Sequence, residues 1–141
     1  MSSEIFSNLN WLAILVGGLG YFFLGAIWYS VLFKHAWIRA TGVNMNDPNG
    51  KKGVGAIMAA SLVLMIITSL GVGILIARID PHGGWISGAK IGLLAGLCFS
   101  ATAISISYVY EKRPLALHLI NGAYNVLGAV IAGIIIAVWP K

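Results

Sequence analysis

The sequence predicts an all-α polytopic membrane protein: one domain, residues 1–141, folded as a bundle of four transmembrane helices. Two observations predict this class. Of the 141 residues, 59% are apolar and only 9% are charged, whereas a soluble domain carries about 25% charged residues. The apolar residues are gathered in four runs, and each run has at least the roughly 20 residues that a helix needs to cross a bilayer. Lipid is therefore the expected solvent for most of the surface.

The four runs define the expected helices. They cover residues 9–33, 54–77, 85–110 and 115–139. Together with three connections they use almost the whole chain, so no soluble domain is expected beside them. The first run is longer than the apolar core of a signal peptide, and the residues before it include no Lys or Arg. We therefore expect it to be retained as a span.

Positive charge predicts how the chain is threaded. Loops 34–53 and 111–114 carry six of the nine cationic residues: Lys34, Arg39, Lys51, Lys52, Lys112 and Arg113. By the positive-inside rule these loops are cytoplasmic and both termini are outside. The net charge of +5 does not indicate nucleic acid, because the basic residues lie at the ends of apolar runs. The expected partner is the bilayer, with Lys51 and Lys52 as candidate contacts for anionic lipids.

The first span contains a face suited to close helix contact. Gly17, Tyr21 and Gly25 recur every four residues and so share one side of a helix. Glycines in such positions allow a second backbone to approach closely. Trp28 and Tyr29 follow near the end of the span, where aromatic residues are typical of the membrane interface.

The third span carries the strongest packing pattern. Small residues recur every four positions along it: Gly88, Gly92, Gly96 and Ser100. Because loop 111–114 is short, we expect this face to pack against the fourth span, with Ser100 or Ser107 meeting Asn121 or Asn125. The short connection between the second and third spans likewise predicts that those two spans pack together.

The fourth span contains three polar residues in an otherwise apolar run: His118, Asn121 and Asn125. Positions i, i+3 and i+7 share a face of a helix. An amide buried without partners costs several kcal/mol, so this face is expected to look into protein. Two interpretations stay open, namely hydrogen bonds that join helices and a polar lining for a solute or water path.

Two titratable residues lie near the predicted cytoplasmic boundary. His118 is interpreted either as a structural residue or as a pH-linked or ligand-contacting one. A metal site is not favoured, because the three histidines lie in separate segments without ligand spacing. Glu111 either forms an exposed ion pair with a neighbouring cation or turns back to pair with His118. Cys98, the only cysteine, is expected to be a small buried residue.

Several short motifs lie at the two ends of the apolar region: Asn10-Trp11-Leu12, Gly25-Ala26-Ile27-Trp28-Tyr29-Ser30, Ala36-Trp37, Glu111-Lys112-Arg113-Pro114 and Leu119-Ile120-Asn121-Gly122-Ala123-Tyr124. They resemble a bacterial family of small integral membrane proteins, the domain of unknown function 1761 family. The resemblance implies four transmembrane helices in a bacterial inner membrane and no particular activity. It draws attention to these positions: Trp28, Tyr29, Glu111, Asn121 and Tyr124. In the family that the chain resembles, a proline commonly follows the position of Ser30; this chain has Val31 there, so the resemblance does not support a proline kink at this position.

Three functions stay open. The first is a small-solute or ion transporter or channel-like homo-oligomer, in which the polar face of the fourth span lines the path and small-residue faces join subunits. The second is a non-transporting lipid-binding or scaffold protein whose basic loop holds anionic headgroups. The third and weakest is a membrane enzyme acting on a lipid or quinone through Glu111 and His118. The sequence has no nucleophile–base pair, phosphate loop or metal motif, so we favour no enzyme and expect no cofactor.

Overall fold

The computed structural model describes residues 2–140, which form helices and no strand. Four helices are long and apolar enough to cross a membrane, and we call them the first to fourth spans: Trp11–Leu32, Val54–Ile79, Gly84–Tyr110 and Leu115–Val138. Two short helices flank the first span: Ser2–Ile5 and Lys34–Thr41. The predicted all-α class with four membrane-length helices is confirmed, and each span begins and ends within about two residues of the apolar run that predicts it.

Local sequence signals start and stop these helices. Asn10 caps the first span, because its side-chain oxygen accepts a hydrogen bond from the backbone nitrogen of Ala13 at 3.0 Å. The helix Lys34–Thr41 ends at Gly42 and the second span begins after Gly53, with φ values of 69° and 75°. Only glycine adopts this left-handed conformation without a steric cost, so the two glycines bound the non-helical stretch 42–53 between these helices.

The first and third spans are not regular α-helices throughout. The first is α-helical over Trp11–Ile27 and makes a π-helical turn over Trp28–Leu32. The third is α-helical over Gly84–Ala95, π-helical over Gly96–Ala101 and α-helical again over Thr102–Tyr110. A π turn holds more residues than an α turn, and it therefore rotates the faces of the residues that follow it.

The first span breaks at its end without a proline. Its π turn brings the backbone nitrogen of Phe33 to the carbonyl of Trp28 at 2.8 Å. Phe33 itself is not helical, with φ −124° and ψ 19°. The rings of Trp28 and Phe33 pack against each other at a tilt of 38°, with centroids 4.4 Å apart. The helix is thus interrupted at the π turn that contains Val31, beside this ring contact.

The fourth span is the centre of the bundle, because it contacts each of the other three. Its most extensive contact is with the third span, and its second most extensive contact is with the first span. The second span packs mainly on the first. The expected packing of the second span against the third occurs on a smaller scale, where Ile76 and Ile91 share a buried cluster near the connection between the two spans.

Backbone contacts close the half of the bundle that lies nearer to the termini. Three glycines of the third span abut the backbone of the fourth, so that an added Cβ would overlap it: Gly88 at Gly133, Gly92 at Ala129 and Gly96 at Val126. This is the arrangement by which small residues bring two helices together in lipid. The four-residue pattern of the third span is therefore used within one chain.

The glycine face of the first span is also used within the chain. A Cβ at Gly17 would lie 2.5 Å from the hydroxyl of Ser69 and 3.4 Å from the Cα of Ala132. Ser69 is fully buried and donates a hydrogen bond to the carbonyl of Ile14 at 2.7 Å. This face is therefore occupied by the second and fourth spans of the same chain.

The other end of the bundle is looser. The first seven residues of the second span, 54–60, are all exposed. Further along the same helix Ser69, Val72, Gly73 and Ile76 are buried. A helical segment that is exposed on every side is not packed against other helices. The second span therefore stands away from the bundle next to loop 34–53. We call residues 54–60 the open segment.

Candidate functional site

Tyrosines cover the two amides of the fourth span. The side-chain oxygen of Asn125 accepts a hydrogen bond from the Tyr21 hydroxyl, and that of Asn121 accepts one from Tyr29 at 2.5 Å. The Asn121 side-chain nitrogen donates to the Tyr108 hydroxyl at 2.6 Å, and the Asn125 nitrogen donates to the Asn121 carbonyl at 2.7 Å. Both amides therefore face protein, as the cost of an unpaired amide requires.

Two further aromatic residues fix the first span to the fourth. The hydroxyl of Tyr124 donates to the carbonyl of Tyr21 at 3.2 Å. The indole nitrogen of Trp28 donates to the carbonyl of Ile120 at 3.1 Å. All four side chains are buried. The polar atoms of Tyr124 and Trp28 find backbone partners across the interface, as those of buried tyrosine and tryptophan usually find partners.

Glycines make room for the tyrosine rings. A Cβ at Gly25 would lie 2.6 Å from the Tyr124 hydroxyl, and a Cβ at Gly128 would overlap the ring of Tyr21. Tyr21 and Tyr29 meet the ring of Tyr124 edge-on, with centroid distances of 5.2 and 5.1 Å. Edge-to-face pairs of this kind stabilise a core beyond their buried area, so the glycines serve the aromatic cluster.

The serines that were expected to meet the amides do not do so. Ser100 is half-buried and Ser107 is exposed, and within residues 2–140 neither side chain bonds to an amide of the fourth span. Ser105 and Tyr108 face the fourth span instead. The π turn Gly96–Ala101 explains the difference, because it advances the contact face by about one residue. The four-residue spacing therefore holds before the turn and fails after it.

His118 and Glu111 do not meet. The Nδ1 atom of His118 lies 3.1 Å from the hydroxyl of Ser105, and its ring stands edge-on to Tyr108 at 5.3 Å. The carboxylate of Glu111 is 3.8 Å from the guanidinium of Arg113, and both side chains are exposed. An exposed pair of this kind contributes about 0–1 kcal/mol. The carboxylate–imidazole pair of the enzyme hypothesis is thus not formed.

Other candidate ligands are dispersed. Among residues 2–140, no three His, Cys, Asp or Glu side chains lie together in a way that could hold a metal ion. Cys98 is exposed, contrary to the expectation that it is buried. It lies two residues beyond Gly96, which faces the fourth span, so its side chain points away from that contact.

The second span covers only part of the face that carries His118, Asn121 and Asn125, which we call the polar stripe. Ala129 lies four residues after Asn125 and Ile136 seven residues further on, so both continue the same face. Val72 and Ile76 of the second span pack in one cluster with these two residues. In the terminal half of the bundle this face is therefore closed by apolar packing.

Nearer to loop 34–53 the second span leaves this face. Met65 still contacts the aromatic cluster, with its sulfur 3.7 Å from the Tyr124 hydroxyl. The open segment comes before Met65, and every residue in it is exposed. The three residues of the polar stripe are themselves half-buried. The stripe is thus only partly covered at the level where the open segment stands apart.

Two cavities of the structure lie at the opposite end. One, of about 60 Å³, lies between the start of the first span and the end of the second, and Asn10 and Gly73 help to line it. The other is an open depression beside Arg78, whose guanidinium donates to the carbonyl of Ile5 at 3.2 Å. Neither cavity is lined by the polar stripe, so the stripe does not extend across the bundle through them.

Tyr21, Ser105 and Tyr108 are partners of the polar stripe that the sequence did not assign to it. The sequence could have indicated Tyr21 as a contact residue, since it shares a helix face with Gly17 and Gly25. No sequence pattern could have indicated Ser105 and Tyr108. In a regular helix both would point away from the face of Gly96, and only the π turn directs them towards the fourth span.

The family of the chain follows from one comparison. No curated protein and no solved structure matches it. A family model described as a protein of unknown function (DUF1761) matches residues 12–137. That range contains the polar stripe, its tyrosine partners and nearly all of the four spans. The match covers most of the chain and confirms the resemblance seen in the short motifs: this protein belongs to the DUF1761 family.

Proposed function

We propose that this protein is a multi-pass membrane protein that binds anionic phospholipid and does not itself form a conducting path. One observation carries the proposal: the polar stripe is only half-buried, at the end of the bundle where every residue of the open segment is exposed. The loops at that end are the most basic of the chain. Under the positive-inside rule this end faces the cytoplasm, in a bacterial inner membrane with both termini outside.

Charge at the open end favours an anionic headgroup. Loops 34–53 and 111–114 hold six cationic side chains and two acidic ones, Asp47 and Glu111. Glu111 is already paired with Arg113. Lys51 and Lys52 are exposed and come directly before the open segment. Each Lys near an anionic membrane surface contributes about 1 kcal/mol of attraction, so this end of the bundle retains anionic lipid.

The closed half of the bundle argues against a path through a single chain. There the glycines Gly88 and Gly92 touch the backbone of the fourth span, and Gly17 touches Ser69. The hydroxyl of Ser69 is already bonded to a backbone carbonyl at 2.7 Å. A solute crossing this half would have to separate helices whose backbones are in contact.

Thermal unfolding in defined lipid tests the proposal. The wild-type protein is expected to unfold at a higher temperature in nanodiscs of phosphatidylglycerol than in nanodiscs of phosphatidylcholine. The double variant Lys51→Gln/Lys52→Gln should lose about half of that difference or more, because it removes two of the cations that attract the headgroup. Lys90→Gln is the matched control, since Lys90 is exposed and lies towards the other end of the third span.

Two results would contradict lipid binding at the open end. One is a double variant that keeps the full wild-type difference between the two lipids. The other is a Lys90→Gln variant that loses as much of the difference as the double variant does, because that result would indicate a general effect of charge rather than a site.

One observation favours the transporter as a second candidate. π turns occur in both spans that contribute tyrosines to the polar stripe, Trp28–Leu32 and Gly96–Ala101. Irregular helices beside polar residues at membrane depth are typical of solute sites in transporters. Such a transporter would act as a homo-oligomer, because one closed bundle offers no path. Proteoliposome flux decides between the two: Asn125→Leu should abolish flux, and an assembled variant with full flux would end this candidate.

A further inference from the structure

Two polar hydrogens beside the polar stripe have no acceptor within residues 2–140. The hydroxyl of Tyr108 accepts a hydrogen bond from Asn121 at 2.6 Å, and its own proton has no partner there. The hydroxyl of Ser105 has His118 Nδ1 as its partner, at 3.1 Å. We assign the tautomer in which the Ser105 hydroxyl donates to Nδ1, so that the neutral imidazole carries its proton on Nε2. That Nε2–H is the second donor left without an acceptor.

These two donors are neighbours at a shallow depth. The rings of Tyr108 and His118 meet edge-on with centroids 5.3 Å apart. Tyr108 lies two residues before the third span ends at Tyr110, and His118 lies three residues after the fourth span begins at Leu115. With a rise of 1.5 Å per residue, both lie about 3 to 5 Å inside the helix ends. Both residues are half-buried.

The depth of these two donors in the membrane determines which chemical group of a lipid they can reach. The phosphates of a phospholipid lie in the headgroup layer, level with the cations of the loops. The acyl-ester carbonyls lie just below, at the edge of the hydrocarbon core, and they accept hydrogen bonds without donating any. The contacts of Tyr108 and His118 include no cationic side chain within the described residues. A neutral carbonyl is therefore a better match for these donors than a phosphate.

We infer that Tyr108 and His118 hydrogen-bond the acyl-ester carbonyls of a diacyl glycerophospholipid whose phosphate is held by Lys51 and Lys52. This inference rests on the proposed function and adds the recognised group to it. The loop cations select the charge of the headgroup, and the two donors select the ester linkage. The lipid lies beside the open segment, where the second span leaves the stripe uncovered.

Ester and ether lipids with the same headgroup test this directly. Native mass spectrometry of the detergent-purified protein gives a dissociation constant for each added lipid. The wild-type protein should bind diacyl phosphatidylglycerol about fivefold more tightly than dialkyl-ether phosphatidylglycerol, as expected for the loss of one or two hydrogen bonds. Tyr108→Phe should reduce this preference to twofold or less. Tyr110→Phe is the control, since Tyr110 is 85% exposed and its side chain makes no hydrogen bond or ring contact within residues 2–140.

A second variant tests whether misfolding of Tyr108→Phe explains its loss of ester preference. His118→Phe should also reduce the ester preference, while leaving the bond between Asn121 and Tyr108 intact. The inference is overturned if wild-type protein binds ester and ether lipid equally, or if both variants keep the full preference. In either case the proposed function stands, provided that phosphatidylglycerol still binds more tightly than phosphatidylcholine. If it does not, the proposed function fails together with the inference.

Discussion

Asn121 shows how a single residue joins three helices. Its side-chain oxygen accepts from Tyr29 of the first span, its nitrogen donates to Tyr108 of the third, and its carbonyl accepts from Asn125. Lipid supplies no hydrophobic drive for helices to associate, so interhelical hydrogen bonds of this kind carry part of the packing energy. This one amide is thus bonded to both the first and the third span.

Removing that amide should therefore destabilise the bundle. We expect Asn121→Ala to lower the free energy of unfolding by about 1–3 kcal/mol, because two tyrosine hydroxyls lose their partner. Chemical unfolding in detergent micelles, followed by circular dichroism, gives this value. Asn46→Ala is the control, since Asn46 is exposed in loop 34–53. Equal stability of the two variants would mean that the network does not hold the helices together.

The polar residues of the fourth span could be placed from the sequence, whereas their partners could be placed only in part. The spacing of Asn121 and Asn125 puts both amides on one face, and the cost of an unpaired amide turns that face inward. Tyrosine partners from the first span were within reach of the same reasoning. Tyr108 was not, because its position depends on the π turn Gly96–Ala101.

At the scale of elements, helix lengths follow from the apolar runs because a bilayer fixes the length of a span. The four-residue glycine pattern of the third span indicates its contact face for the same elementary reason. A π turn is marked by no residue type in either span, and one extra residue in a turn moves every later contact. The sequence therefore does not show which residues of the third span face the fourth span beyond Gly96. The π turn is also the reason that the expected contacts of Ser100 and Ser107 with the amides do not form.

The contact between the third and fourth spans makes a prediction at this scale. Gly92→Ala should destabilise the protein by about 1–3 kcal/mol, because the new methyl group overlaps the carbonyl of Ala129. Gly71→Ala is the matched control, since a Cβ at Gly71 meets nothing within 4 Å. It should be neutral, or stabilising by up to about 1 kcal/mol through helix propensity.

Thermal unfolding in one detergent compares the two variants. If Gly92→Ala were as stable as Gly71→Ala, the backbones of the third and fourth spans would not be in the close contact that we describe. Such a result would also remove the argument that the terminal half of the bundle is closed to solutes.

At the scale of the whole molecule, the bundle is closed at one end and open at the other. The closed end is built from glycine contacts and from the cluster that contains Val72 and Ile91. At the open end residues 54–60 stand apart, and the polar stripe lies half-buried behind its tyrosines. No pattern in residues 54–60 distinguishes them from the rest of the span, so the opening was not predictable from the sequence.

This asymmetry relates the fold to the proposed function. A polar face that is half-buried at one end of the bundle suits a bound amphiphile, whose headgroup stays at the surface while its chains remain in lipid. The basic loops lie at the same end as the opening. A transport path through a single chain would require the closed end to open as well, and it would require the glycine contacts of the third span to separate.

The central claim is that the second span leaves the bundle at residues 54–60, and nitroxide scanning tests it most directly. In a Cys98→Ser background, single spin labels at positions 57, 58, 59 and 60 and at 70, 71, 72 and 73 are compared for oxygen accessibility in lipid. Positions 70–73 should show a helical period, with Val72 and Gly73 shielded, while positions 57–60 should all be accessible. A helical period at 57–60, with one side shielded, would contradict the account.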